Sequence, residues 1–247
     1  VILRPGVIGT YNPNVLPGVL EVYAGPMKSG KTLALTMRVA QIPYIEECEF
    51  LFIKPRCDTR DKTIHPRGTS LAYDCQFVDE QDPWEILRIV DGLKATTMPN
   101  LRLLLGDEAN LFKRGDIVDV TQRLLARDLN VVYAGLDTDF RGRSFGGMGD
   151  LMAMADMVYK LTAVCDYPGC VRPARWTQRL VNGEPAHYDD RLVVIEGSSE
   201  DVSYEARCFK HHVVPGSPSE LEERIRSRAG RQAEAPFIRD TGLDGGG

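Results

Sequence analysis

Gly25-Pro26-Met27-Lys28-Ser29-Gly30-Lys31-Thr32 fills every fixed position of the G-x-x-x-x-G-K-[ST] phosphate loop. The apolar run Val19-Leu20-Glu21-Val22-Tyr23-Ala24 leads into it, and a helix-like stretch over 32–41 leads out. That strand–loop–helix setting gives the pattern physical meaning. The glycines let the backbone fold round phosphate oxygens with its N–H groups turned inward, and Lys31 adds a full positive charge. Thr32 offers a hydroxyl to a Mg2+ ion that bridges terminal phosphates.

Outward from the loop, short apolar runs recur at 50–53, 76–78, 101–105 and 131–136. Helical stretches at 83–91, 116–127 and 150–156 are interleaved with them. Such alternation predicts an α/β fold, a mostly parallel sheet with covering helices. Continuous rather than alternating apolarity fits strands buried on both faces. Asp82-Pro83 reads as a helix start, a capping carboxylate followed by a first-turn proline. Segment 54–72, with prolines and charges but no period, reads as a long mobile loop.

Beyond Leu161 the character changes: β-like pieces at 174–181 and 191–195 alternate with turns and cysteines, as in a small appended ribbon. The organisation expected is an irregular arm (1–18), a phosphate-loop α/β domain (19–162), a ribbon domain (163–214) and a polar tail (215–247). A short helix over 220–228 and disorder beyond it are expected in the tail.

Hydrophobic residues make up 43% and charged residues 26% of the 247, as in ordinary globular proteins. No apolar run approaches the roughly 18–20 residues that cross a bilayer, and none reads as a secretory leader. The chain starts at Val1, which suits a trimmed or partial product. A net charge of −5 argues against broad nucleic-acid binding. Arg224, Arg226, Arg228 and Arg231 lie among Glu220, Glu222, Glu223 and Glu234, so they read as a solvated mixed-charge tail. Six cysteines beside a phosphate loop point to a reducing compartment, hence a cytoplasmic location.

Leu101-Arg102-Leu103-Leu104-Leu105-Gly106-Asp107-Glu108 reads as a buried strand ending in two acids. Neighbours on a strand face opposite ways, so one acid would serve Mg2+ and the other a general-base role. Cys165-x-x-x-x-Cys170 and Cys208-x-x-His211 supply two ligand pairs for a closed, structural tetrahedral Zn2+. His212 is the alternative to His211, but the two-residue spacing favours His211. In a segment this poor in apolar runs, such a metal contributes on the order of 10 kcal/mol to folding. The stretch 135–147, with glycines, Phe140, Phe145, Arg141 and Arg143, reads equally as a ligand-facing loop or as a connector packed into the core.

Taken in order, Gly25–Thr32, Asp58-Thr59-Arg60, Asp107-Glu108, the 135–145 stretch, Lys160-Leu161-Thr162-Ala163-Val164-Cys165, Thr177-Gln178-Arg179-Leu180 and Tyr204-Glu205-Ala206-Arg207-Cys208 carry a resemblance. Over about 19–212 the chain resembles the zinc-containing, type II thymidine kinases, which have a RecA-like core and a zinc ribbon with a substrate lasso. The resemblance implies ATP-dependent phosphorylation of the 5′-hydroxyl of thymidine to dTMP in nucleotide salvage, with deoxyuridine a weaker substrate. It implies that the 25–32 loop holds ATP, that Thr32 and Asp107 hold Mg2+, and that Glu108 is the general base. Met27, Leu136 and Thr177 would surround the thymine methyl group, Phe140 and Phe145 would enclose the nucleoside, and Tyr204 would lie in the lasso. It further implies a homotetramer, inhibition by dTTP, and a polar base edge read largely by backbone groups.

Two departures bear on substrate preference. Where the family pattern is Asp-Glu-x-Gln-Phe-Phe, this chain has Asp107-Glu108-Ala109-Asn110-Leu111-Phe112. The lasso over 195–204 is also longer, with Glu196 at a position where a small residue is common. A RecA-like ATPase or nucleic-acid-binding module with a zinc ribbon is the alternative. Single-stranded DNA would stimulate its ATP turnover and leave a nucleoside kinase indifferent.

Overall fold

In the computed structural model, residues 18–40, 42, 47–59, 62–66, 68–194 and 201–218 are described. The expected arm over 1–17, Arg60, lasso residues 195–200 and the tail from 219 onward lie outside them.

The apolar runs become the strands β1 (Leu20–Ala24), β2 (Glu49–Pro55), β3 (Gln76–Val78), β4 (Leu101–Gly106) and β5 (Asn130–Gly135). With β6 (Met157–Lys160) they form one sheet in the order β3-β2-β4-β5-β1-β6. Every pairing in it is parallel.

Burial on both faces explains the unbroken apolarity. Leu101 and Leu104 pack on one side with Val22, Val131 and Tyr133, against α2 (Glu85–Thr96), α3 (Arg114–Leu125) and α4 (Met148–Met154). Leu103 and Leu105 point the other way, to Phe52, Val132, Ile64 and Leu35 of α1 (Lys31–Met37). Among the described residues, no helix is long and apolar enough to cross a membrane.

Several expectations are corrected. β6 was not read from the sequence because its burial alternates, as suits an edge strand with one half-open face. α1 stops at Met37, where the N–H groups of Arg38, Val39 and Ala40 turn to carbonyls three residues back. Asp82 caps nothing by its side chain; its carboxylate takes Arg88 at 2.6 Å, and α2 begins at Glu85. Segment 54–72 opens as the last residues of β2, and the backbones of Ile64 and Tyr73 exchange N–H···O bonds of 2.9 and 3.1 Å.

After β6 come two small antiparallel sheets. β7 (Ala163–Val164) pairs with β8 (Pro173–Ala174). β9 (Trp176–Val181) lies between β10 (Glu184–Pro185) and β11 (Val202–Arg207). The strand expected at 191–195 is absent from 191–194, whose carbonyls accept side-chain donors instead, and β11 replaces it as the partner of β9.

Candidate active site

The phosphate loop leaves β1 at Gly25. A Cβ there would lie 2.5 Å from the Leu161 carbonyl oxygen, so only glycine lets the two chain segments pass. Lys28 (φ 62°) and Gly30 (φ 81°) take left-handed backbone, which curls the loop before α1. The Lys31 ammonium reaches across the loop to the Pro26 carbonyl at 2.7 Å, and the Ser29 hydroxyl donates to the same oxygen at 2.8 Å. The Thr32 hydroxyl donates to Asp107 Oδ2 at 3.0 Å. A cleft runs along Gly30, Lys31, Thr32 and Asp107, with the buried Lys54–Asp58 ion pair (3.1 Å) on its far wall.

Asp107 and Glu108 part company by a route other than strand alternation. β4 ends at Gly106, and Glu108 adopts left-handed backbone (φ 51°), which swings the second acid away. Burial, and after it the Glu108 charge, push the Asp107 carboxyl up to about 6, against the Thr32 hydroxyl, the Glu108 N–H and Lys31. A nearly buried carboxylate on the cleft wall, accepting a hydrogen bond from a hydroxyl, suits a hard divalent cation.

Beside the cleft lies a mostly apolar pocket. Met27, Leu136, Phe140, Phe145, Thr177 and Tyr204 all line it. The 135–147 stretch, ambiguous in sequence, therefore faces a cavity and packs into the core at once: Phe140 and Phe145 are 3% and 8% exposed. Leu111, of the departing acid motif, joins the cluster of Met27, Leu136 and Phe145. Glu108 and Met27 line both cavities. The phosphate cleft thus meets the pocket at a carboxylate.

The bracing role of Arg179, Arg141, Tyr204 and His212 was not read from the sequence. Arg179 is 1% exposed, lies 3.8 Å over the Phe140 ring and donates to the Arg191 carbonyl. Arg141 donates to the Asp190 carbonyl at 2.6 Å, and the Tyr204 hydroxyl donates to Val194 at 2.6 Å. Three side chains therefore grip the backbone that brings Leu192, Val193 and Val194 over the pocket. His212, the rival metal ligand, instead donates Nε2–H to the Phe140 carbonyl at 2.9 Å. Burial holds its pKa below the ordinary value, against the pull of the Phe140 carbonyl.

The ribbon also touches the phosphate loop. Thr177 Oγ1 accepts the Met27 N–H at 3.1 Å, and Lys28 pairs with Asp166 at 2.9 Å. Next to Asp166, the ligand atoms of Cys165, Cys170, Cys208 and His211 all lie within 4.8 Å of one another. Cys208 Sγ and Cys165 Sγ stand 3.5 and 3.6 Å from His211 Nδ1, and Cys170 Sγ stands 4.0 Å from Cys208 Sγ. A tetrahedral site with bonds of 2.0–2.3 Å has edges of roughly 3.3–3.8 Å, so the four groups fit a metal of the zinc type. Burial works against the Cys165 thiolate. The N–H groups of Cys208 and Tyr167 and the His211 and Cys170 side chains overcome it and bring the thiol down to about 6. A thiolate formed at neutral pH is what a metal ligand requires.

Comparison with known proteins agrees with this arrangement. The sequence profile of the family described as Thymidine kinase matches residues 18–212. A thymidine kinase of Coprothermobacter proteolyticus is 40% identical over 199 residues, which cover 81% of this chain and 92% of that protein. With the profile spanning most of the chain and the relative nearly all of its own length, the chain belongs to the thymidine kinase family and is a kinase.

Proposed function

We propose that this kinase transfers the γ-phosphoryl group of ATP to the 5′-hydroxyl of thymidine, giving dTMP for nucleotide salvage in the cytoplasm. One observation carries the reading: Glu108 lies where the phosphate cleft opens into the apolar pocket. A nucleoside with its base among Met27, Leu136 and Thr177 and its ring between Phe140 and Phe145 would present its sugar to that carboxylate. Glu108 then takes the hydroxyl proton, while the pocket walls and the 192–194 roof hold the sugar in line. Lys31 neutralises charge in the cleft, and Thr32 and Asp107 are the oxygens that would hold Mg2+. Bound Mg2+ and ATP supply the transferable group and the neutralisation of its developing charge.

Family membership and the Cys3His cluster support three further parts of the reading. The structural ion is Zn2+, and the ribbon from 163 onward is a separate unit that anchors the lasso over the substrate. The protein works as a homotetramer under feedback by dTTP. A thymine methyl group is worth only about 1–3 kcal/mol of discrimination, so deoxyuridine is a weaker substrate and not an excluded one. A panel of labelled nucleosides with ATP and Mg2+, scored for monophosphate, tests the proposal. Thymidine should lead with deoxyuridine behind it; turnover of purine nucleosides alone, or of none, would reject the reading.

A further inference from the structure

Hydrogen-bond accounting in the pocket leaves one group over. Thr177 Oγ1 is engaged by the Met27 N–H, the Tyr204 hydroxyl by the Val194 carbonyl, and Asp139 Oδ1 by the Arg141 and Arg143 N–H groups at 2.9 Å each. Asn110 is 2% exposed and lines the same pocket. Its Oδ1 accepts the Leu136 N–H at 2.8 Å, which fixes which end of the amide is which. The opposite end, Nδ2, is the one fully buried side-chain polar atom among the described pocket-lining residues that has no hydrogen-bond partner.

The surroundings are shaped round this residue. A Cβ on Gly135 would lie 2.8 Å from Asn110 Oδ1, and one on Gly146 would lie 2.1 Å from the Asn110 carbonyl oxygen. Two backbone turns therefore close on Asn110 at places where any other residue would collide with it. A buried donor left unpaired is costly, and native interiors keep such groups for a reason. A ligand carrying an acceptor supplies one.

We propose that Asn110 is a specificity-determining residue whose Nδ2 donates a hydrogen bond to a ring carbonyl oxygen of the bound pyrimidine. This rests on the thymidine kinase reading above and goes beyond it, because the family pattern leaves the base edge to backbone groups and carries a longer glutamine here. Asn110 is joined to the walls that flank a base, to Leu111 through the chain and to Leu136 through its amide oxygen. A flat ring entering beside these leucines, with a small side-chain shift that uncovers Nδ2, brings its carbonyl edge to the donor. Sealing makes the bond selective: a site built to donate rejects an analogue that accepts poorly.

Thymidine, 2-thiothymidine and 4-thiothymidine, assayed with the unaltered protein and with Asn110→Asp at pH 8, test the proposal. Aspartate keeps the acceptor for Leu136 N–H and removes the donor, so the wall it supports stays in place; melting temperature and the KM for ATP serve as checks on that. With the unaltered protein, one of the two thio analogues should lose about tenfold or more in kcat/KM. Which analogue suffers identifies the carbonyl. With Asn110→Asp that penalty should shrink to within about twofold, because thymidine itself falls. Asn110→Ala should show the same collapse of the ratio. Equal penalties in all three proteins, or no penalty in the unaltered one, overturn the assignment and leave the enzyme a thymidine kinase. No turnover of any pyrimidine nucleoside removes the reading of function and this proposal with it.

Discussion

Glu108 owes its position to one backbone torsion. Left-handed backbone directly after a parallel strand turns its carboxylate toward the pocket, while Asp107 stays in the cleft with Thr32. Glu108→Gln should therefore keep ATP affinity and lose about 10²–10⁴-fold in nucleoside phosphorylation, read by ATP binding and by product formation; full turnover would displace the base assignment. Asp107 makes a second prediction. Its pKa in the fold is raised, so the fold favours the neutral acid, and ionisation costs stability as pH rises from 3.8 through about 6. In ligand-free protein, Asp107→Asn should stabilise above pH 6 and have almost no effect near pH 4. Denaturant unfolding at the two pH values reads this, and a gain independent of pH would rule out ionisation as the cause. The loop lysine, the threonine and the acid pair were legible because each signal lies within a few adjacent residues. Asn110 was read only as a shortened arm, since its partner is an N–H 26 residues away and its unpaired end exists only in the packed structure.

At the scale of elements, the ribbon does two things at once: β9 and β11 supply Thr177 and Tyr204 to the pocket, and Asp166 reaches the phosphate loop. Stripping a metal held by the Cys3His cluster should melt this ribbon and raise the KM for nucleoside more than that for ATP. The ATP term should still move, through the lost hold on Met27 and Lys28. Circular dichroism and two-substrate kinetics after chelation check both, and an unchanged nucleoside KM would remove the anchoring role. Arg179 gives a sharper test, because it clamps Phe140 and the 191–192 backbone together. A charge-assisted hydrogen bond of about 1.5–3 kcal/mol predicts a rise of about tenfold or more in nucleoside KM for Arg179→Met. The KM for ATP should hold within about twofold, with partial recovery in Arg179→Lys. β1 to β5 were readable from short, mostly apolar runs. β6, β11 and the irregular 191–194 segment were not, because each is set by pairing partners that no local pattern encodes.

For the whole molecule, strand order puts the chemistry together. The phosphate loop follows β1, the acid pair follows β4, the aromatic loop follows β5 and Asp58 follows β2, so all four gather at the carboxyl ends of a parallel sheet. An α/β sheet could be foreseen from the alternation of runs. The order β3-β2-β4-β5-β1-β6 could not, since it depends on which crossovers bury the leucines of β4 on both faces. The account's central claim is that Glu108 deprotonates a sugar hydroxyl at the junction of the two cavities. The most direct measurement is a structure with thymidine and a non-hydrolysable ATP analogue bound together. The Glu108 carboxylate should lie about 2.6–3.2 Å from the 5′-oxygen, in line with the terminal phosphate. A carboxylate turned from the sugar, with no rotamer able to reach it, would contradict the account.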